Sequence, residues 1–134
     1  MKNIIILLLF ITSCTATKKV EPIKKLGIPV MAFENSFYDL GTMKQGEIRN
    51  LEYKFWNRGD VDLVIEIATT CHCTALDYPT TPIAPGESGI IKAIFDSKEK
   101  DREELIDITI ILANENSENG YPIVEEVKFR FDIE

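Results

Sequence analysis

Residues 49–57, RNLEYKFWN, contain the pattern of side chains that decides the fold class. Leu51, Tyr53 and Phe55 alternate with polar and charged residues. A period of two places the three apolar side chains on one face of a strand and the polar ones on the other. The stretch therefore predicts a β-strand with one buried face rather than a helix.

Four later segments repeat this alternation, and loops rich in Gly, Pro, Asn or Ser separate them. The predicted inward side chains are Leu63, Ile65 and Ile67; Ile91, Ala93 and Phe95; Ile106, Ile108, Ile110 and Leu112; and Val127, Phe129, Phe131 and Ile133. No segment has a convincing helical period, and residues 97–105, SKEKDREEL, fit a single helical turn or a charged loop equally well. Short strands with turns between them predict an all-β antiparallel sandwich of about seven strands.

Two glycines lie in segments that the sequence predicts to be tight turns. Gly59 belongs to NRGD, after the first of these strands, and Gly86 follows Pro85 in PGE. Because glycine tolerates positive φ, both positions are predicted to use that freedom. The tripeptide Arg58-Gly59-Asp60 matches an integrin-binding sequence, but its position in a hairpin turn favours simple turn chemistry.

Residues 1–14, MKNIIILLLFITSC, have the order of a secretory signal peptide. One positive residue precedes an apolar run that is too short to span a bilayer, and small residues follow it. Residues 11–14, ITSC, resemble the bacterial lipobox, in which the cysteine is acylated and becomes the first residue after cleavage. We therefore expect residues 1–13 to be a signal peptide and Cys14 to be the lipidation site.

Residues 14–30 are predicted to be the lipidated amino terminus and a flexible tether, because they are polar, rich in lysine and without strand or helix periodicity. The sandwich domain is predicted to occupy residues 31–134. Lipidation would place this domain in the bacterial cell envelope, held to a membrane by its amino-terminal lipid, on the periplasmic or cell-surface face.

The charge of the chain argues against one class of partner. Acidic residues number 22 and basic residues 15, which gives a formal net charge of -7. No basic block is present to neutralise a phosphate backbone. We therefore expect no nucleic-acid partner.

Residues 69–76, TTCHCTAL, place the only histidine of the sequence between two cysteines. If the preceding strand continues without a bulge, Cys71 and Cys73 point inward and His72 points outward. Their Cα atoms would then be about 6.6 Å apart, near the upper limit for a disulfide. Three interpretations stay open: inert packed thiols, a strained Cys71–Cys73 disulfide that needs a local bend, or a soft-metal site for Cu(I) or Zn(II) formed by Cys71, Cys73 and His72.

Four segments together resemble a bacterial family called domain of unknown function 1573. They are FYDLGTMKQGE, YKFWNRGD, LVIEIATTCHCT and PIAPGESGIIKAIFD, and the resemblance runs from about Phe33 to Ile133. It implies an immunoglobulin-like β-sandwich that is often exported and lipid-anchored, with no established enzymatic activity or ligand. The sequence departs from the family at His72, where relatives commonly have glycine.

The residues do not assemble into a recognisable catalytic pair, since no serine or cysteine motif accompanies the single histidine apart from TTCHCTAL. We therefore expect a non-catalytic envelope lipoprotein with no cofactor, which binds an envelope protein whose identity the sequence does not reveal. The alternative is a thiol-redox or Cu(I)- or Zn(II)-binding protein that uses Cys71, His72 and Cys73.

Overall fold

The computed structural model describes residues 27–134, so the predicted signal peptide, Cys14 and the tether as far as residue 26 lie outside the described residues. Among the described residues, no helix is long and apolar enough to cross a membrane. Eight β-strands follow one another along the chain: β1 (Met31–Phe33), β2 (Phe37–Met43), β3 (Ile48–Asn57), β4 (Ile65–Thr69), β5 (Thr74–Asp77), β6 (Ser88–Asp96), β7 (Glu104–Glu115) and β8 (Pro122–Ile133).

The strands form two four-stranded sheets, with the orders β1-β3-β6-β5 and β2-β8-β7-β4. The prediction of an all-β, immunoglobulin-like sandwich is confirmed, although the strands number eight rather than about seven. One pair also departs from the antiparallel prediction, because β2 runs parallel to β8. The chain crosses from β1 in the first sheet to β2 in the second without reversing direction, and this crossing makes the pair parallel.

The predicted inward residues of β3 and β6 form the centre of the core. Leu51, Tyr53 and Phe55 are 6%, 0% and 0% exposed. The ring of Phe95 on β6 lies 5.0 Å from that of Phe129 on β8, which joins the two sheets. Full burial of such a side chain contributes about 1.5–3 kcal/mol, so the alternation in the sequence corresponds to the main stabilising contacts.

The strand β4 contains an irregularity that the alternation did not predict. The pairing with β7 shifts between Ile65 and Ile67. Because one extra residue reverses the faces of all that follow, Ile67 is 41% exposed and Ala68 is buried in its place. The prediction that Ile67 points inward is therefore wrong.

The strands run between two ends of the sandwich. We call the end with residues 28–30 the amino-terminal end, and the end with the turns 70–73 and 97–103 the distal end. The strand β3 joins them, from Asn57 at the amino-terminal end to Ile48 at the distal end. Nine steps of about 3.3 Å separate these residues by roughly 30 Å.

Residues 28–30, which were predicted to be part of the flexible tether, belong to the folded domain. The amide of Ile28 donates a hydrogen bond to Oδ1 of Asp60 at 3.2 Å, and the amide of Arg58 donates to the carbonyl oxygen of Val30 at 2.8 Å. Residues 28–30 are therefore part of the folded domain, although the predicted boundary lies at residue 31.

The two turn glycines have different roles. Gly86 has a φ of 83°, as predicted. Gly59 does not have positive φ, so the prediction that it uses this freedom is wrong. A Cβ at Gly59 would instead lie 2.7 Å from Cα of Pro29 and from the amide nitrogen of Val30. Gly59 is needed because residues 28–30 pass directly over it.

Candidate functional site

The Cys-His-Cys stretch forms a tight turn at the distal end. The strand β4 ends at Thr69 and β5 begins at Thr74. The amide of Thr74 donates to the carbonyl oxygen of Cys71 at 3.1 Å, which closes a four-residue turn. The amide of Asp96 on β6 donates to the carbonyl oxygen of Cys73 at 3.0 Å. Two backbone hydrogen bonds therefore help to hold the turn in place.

The turn brings the two cysteine side chains together as a disulfide. The Cα atoms of Cys71 and Cys73 are 5.2 Å apart, and their Sγ atoms are bonded to each other. This distance is within the usual range for a disulfide and shorter than the value of about 6.6 Å for an unbroken strand. Both cysteines are partly buried at the edge of the core. The continued strand that would have turned both inward does not form.

The contribution of this disulfide to stability is small because it closes a very short loop. The entropy relation for cross-links gives about 1.5 kcal/mol for a three-residue loop, against about 3 kcal/mol for a fifteen-residue loop. The backbone hydrogen bonds of Thr74 and Asp96 constrain the same turn independently. A purely structural role therefore explains little of the presence of the disulfide.

Thr74 lies directly beside the disulfide, and the sequence analysis did not identify it as a site residue. Its side chain is 7% exposed, and Oγ1 lies 3.5 Å from Sγ of Cys71 and 3.7 Å from Sγ of Cys73. A hydroxyl at this distance can donate a hydrogen bond to a sulfur atom. The signal that could have revealed this role is the Cys-x-Cys-Thr order, in which the threonine follows the second cysteine directly.

His72 points outward at the tip of the turn. Its Nε2 lies 3.1 Å from Oε2 of Glu99, and the two side chains are 85% and 73% exposed. This pair borders a shallow depression of about 170 Å³, which is lined by His72, Cys73, Asp96, Lys98 and Glu99. Cys73 therefore borders the depression, whereas Cys71 does not.

Metal binding at this turn would depend on its oxidation state. Within residues 27–134, no three histidine, cysteine or carboxylate side chains are arranged so that they could hold a metal ion. A thiolate, rather than a disulfide sulfur, is the ligand for soft metals. The expected alternative of a Cu(I) or Zn(II) site at Cys71, His72 and Cys73 would therefore require the reduced turn.

A second candidate surface lies on the outer face of the first sheet. Ile48 and Ile94 are 60% and 50% exposed on neighbouring strands, and Ala75 of the edge strand β5 pairs with Ile94. We call these three residues, with the adjacent row Glu52, Lys92 and Asp77, the Ile94 face. A groove of about 360 Å³ lies on this face and crosses β3, β6 and β5. It is lined by Asn50, Glu52, Ala75, Asp77, Lys92 and Ile94, among others.

The Ile94 face combines apolar and charged groups in a defined order. Ile94 pairs with Asn50 on one side and Ala75 on the other, and this row lies beside the charged row, in which Lys92 pairs with Glu52 and Asp77. Exposed apolar side chains rimmed by charged ones are typical of protein-interaction surfaces. The face is also adjacent to the disulfide turn, because Asp96 pairs with Ile48 and donates to Cys73.

Comparison with solved structures shows the same fold in distant proteins. The PapD-like domain 7 of human CEP192 has a TM-score of 0.63 at 8% identity, covering 91% of this chain and 97% of that chain. A protein of unknown function from Porphyromonas gingivalis W83 has a TM-score of 0.63 at 21% identity. The VesB protease of Vibrio cholerae has a TM-score of 0.61 at 15% identity.

The two bacterial similarities are partial. The aligned parts cover 78% of this chain and 46% of the Porphyromonas chain, and 76% of this chain and 31% of the Vibrio chain. This chain therefore spans less than half the length of either protein. At these identities, the similarity shows the fold alone.

A comparison with curated proteins found no match. Residues 31–127 match the family described as "Protein of unknown function (DUF1573)". This range is most of the chain and includes the disulfide turn, the Ile94 face and both turn glycines. The immunoglobulin-like sandwich is consistent with a protein-interaction module, and the chain belongs to the DUF1573 family.

Proposed function

We propose that this protein is a non-catalytic, lipid-anchored module of the bacterial cell envelope, which binds another envelope protein through the Ile94 face. The observation that carries the proposal is the exposure of Ile48 and Ile94, 60% and 50%, beside a groove that crosses three strands. A partner that covers these side chains would remove apolar surface from water, and the row of Glu52, Lys92 and Asp77 would set its orientation.

The position of residues 28–30 supports an anchored orientation. Gly27 lies 13 residues after Cys14, and a segment of this length spans at most roughly 45 Å when it is fully extended. The folded domain receives this segment at the amino-terminal end, where Ile28 and Val30 contact the turn after β3. An anchor at Cys14 would therefore leave the distal end and the nearby part of the Ile94 face accessible to a partner.

The environment of His72 supports a non-catalytic role. This residue is the one histidine in the sequence, and its ring contacts the exposed carboxylate of Glu99 rather than a nucleophile. General base catalysis requires a base within hydrogen-bond reach of the group that it activates. The neighbouring sulfur atoms are bonded to each other, so neither acts as a thiolate nucleophile in this state.

Site-specific photocrosslinking in intact cells tests the proposal. A photoreactive residue at position 48 is expected to yield one discrete adduct, and Ile94→Glu is expected to reduce its yield at least tenfold. Leu105→Glu is the matched control, because Leu105 is 53% exposed on the other sheet, and it should leave the yield unchanged. Equal yields in both variants, or no adduct from position 48, would rule out the Ile94 face as the binding surface.

A further inference from the structure

We propose that the Cys71–Cys73 disulfide is a thiol–disulfide exchange site whose substrate is a protein dithiol. Cys73 is the sulfur that is attacked, Cys71 is the leaving group, and Thr74 positions a hydrogen bond on the leaving sulfur. This inference goes beyond the proposed function and does not depend on the Ile94 face. It rests on the position of Cys73 at the shallow depression, the backbone of the turn and the contacts of Thr74.

The two cysteines differ in their position relative to the shallow depression. Cys73 lines the shallow depression at the distal end, together with the exposed side chains of Lys98 and Glu99. Cys71 does not line it, although it is also partly buried against the core. Thiol–disulfide exchange requires an in-line approach to one sulfur. An incoming thiolate that approaches across the depression therefore meets Cys73 rather than Cys71.

The backbone of the turn does not need the disulfide for its shape. The hydrogen bond from the Thr74 amide to the Cys71 carbonyl closes the turn, and the Asp96 amide binds the carbonyl of Cys73. Thr70 adds a third contact, because its Oγ1 donates to the carbonyl oxygen of Asp107 at 2.8 Å. Reduction would thus leave two thiols on a preformed turn.

Thr74 supplies the group that favours departure of Cys71. Its Oγ1 lies 3.5 Å from Sγ of Cys71 and slightly farther, 3.7 Å, from Sγ of Cys73. Because Thr74 is 7% exposed, water competes little for its hydroxyl proton. A hydrogen bond to a developing thiolate lowers the pKa of that thiol, and a thiol of lower pKa leaves faster.

The exchange balances in two steps. A partner thiolate attacks Sγ of Cys73, the bond between Cys73 and Cys71 breaks, and its electron pair moves to Sγ of Cys71, which takes up a proton. The second partner thiolate then attacks the partner sulfur of the mixed disulfide and releases Cys73, which is protonated in turn. Two electrons and two protons pass from the partner dithiol to this chain, and the partner gains one disulfide.

The experiment uses the full-length protein in its oxidised state with reduced glutathione and with a purified thioredoxin-type dithiol as probes. After an acid quench and alkylation, peptide mapping by mass spectrometry is expected to find glutathione on Cys73 and the alkyl group on Cys71. The dithiol probe is expected to reduce the disulfide fully while circular dichroism shows an unchanged sandwich.

Variants of Thr74 isolate its role. Thr74→Val should slow reduction by the dithiol about tenfold, the effect of one hydrogen bond to a charged sulfur, and Thr74→Ser should restore most of the rate because it keeps the hydroxyl. Thr69→Val, an exposed threonine of the same segment, should react like the original protein. Equal rates of reduction by the dithiol for all three variants would show that the hydroxyl of Thr74 has no role in the exchange.

Two outcomes would overturn the exchange site. The first is a disulfide that resists the dithiol until the protein is denatured, which would make it a buried structural bond. The second is glutathione attached to Cys71 with Cys73 alkylated, which would reverse the assigned roles. Because the probes are purified and small, these results are independent of whether Ile94 binds an envelope protein.

Discussion

The side-chain amide of Asn57 donates a hydrogen bond to the carbonyl oxygen of Ile83 at 2.9 Å and thereby joins β3 to the loop before β6. The same nitrogen donates to the carbonyl oxygen of Val61 at 2.7 Å, and Oδ1 accepts the amide of Gly59 at 3.0 Å. Asn57 is completely buried. One side chain therefore ties together three segments of the amino-terminal end.

Replacement of Asn57 by alanine is expected to lower the free energy of unfolding by about 2–4 kcal/mol, because it removes the hydrogen bonds of Asn57 to two carbonyl oxygens and two amides. Chemical denaturation of the purified domain measures the change. Asn50→Ala is the control, since Asn50 is an exposed asparagine of the same strand, and it should alter stability by less than about 0.5 kcal/mol. Similar losses in both variants would contradict the role of Asn57 as a buried junction.

Replacement of Gly59 by alanine is expected to displace residues 28–30, because the new Cβ would lie 2.7 Å from two of their backbone atoms. Overpacking of this kind costs about 1–3 kcal/mol. Hydrogen exchange at the amides of Ile28 and Val30 should accelerate markedly. Gly120→Ala, at a position with a φ of 70° but open space around it, should lower stability without changing exchange at these two amides.

Glu125 is expected to destabilise the protein at neutral pH. It pairs with the buried Ile110 and therefore faces the core, and burial raises the pKa of its carboxyl group. Because the folded state then holds the proton more tightly than the unfolded state, stability falls as pH rises from the unfolded pKa through the folded one. Glu125→Gln should thus be more stable than the original protein at pH 7 and equal to it at low pH.

Urea denaturation at about pH 7 and about pH 3 measures this difference. Glu66→Gln is the control, because Glu66 is exposed on β4, and it should have little effect at either pH. A loss of stability in Glu125→Gln at pH 7 would show that the carboxylate has a favourable partner in the folded state.

Asp39 is expected to contribute stability that is lost in acid. The amide of Gly41 donates to Oδ1 of Asp39 at 3.0 Å, and Arg130 pairs with Oδ2; these two contacts hold the pKa of the carboxyl below its ordinary value. The contribution is present above the unfolded pKa and disappears as pH falls through the folded pKa. Asp39→Asn should therefore be slightly less stable at pH 7.

The same variant should match the original protein once both are below the folded pKa of Asp39. NMR titration of the Asp39 carboxyl carbon measures that pKa directly, and Arg130→Gln should move it back towards its ordinary value. Asp62→Asn, an exposed position, serves as the control for stability. An unchanged Asp39 titration in Arg130→Gln would assign the shift to the Gly41 amide alone.

Cys14→Ser is expected to remove the acyl chains and to weaken membrane association, because the lipobox cysteine is the predicted site of acylation. Each buried methylene of an acyl chain adds about 0.8 kcal/mol to membrane binding, so loss of the chains should be decisive. Fractionation and intact mass measure the change. An intact mass of the original protein without acyl chains, or acyl chains that persist in the serine variant, would contradict the lipid anchor.

The period of two in β3 was enough to predict the centre of the core. The alternation of Tyr53 and Phe55 with charged residues is a property of neighbouring residues, and it can be satisfied only by an extended strand with one buried face. The same argument was correct for β6 and β7, and it failed at Ile67. That failure has a long-range cause, because the pairing of β4 with β7 contains the irregularity that reverses the face.

The candidate site was predictable in its residues but not in its geometry. Cys71, His72 and Cys73 are adjacent in the sequence, so their chemistry was visible at once. The bend combines a local hydrogen bond, from the amide of Thr74 to the carbonyl of Cys71, with one between the amide of Asp96 and the carbonyl of Cys73, more than 20 residues apart. The place of Thr74 beside both sulfur atoms follows from the same bend.

Local chemistry alone determined that the chain forms an all-β sandwich, which side chains most of its strands bury, and that Gly86 lies in a turn with positive φ. The tertiary structure decided that β2 runs parallel to β8, that residues 28–30 require a glycine at position 59, and that Cys71 and Cys73 meet. The reason is physical: alternation and turn propensity depend on neighbouring residues, whereas strand pairing and close packing depend on segments that are distant in the sequence.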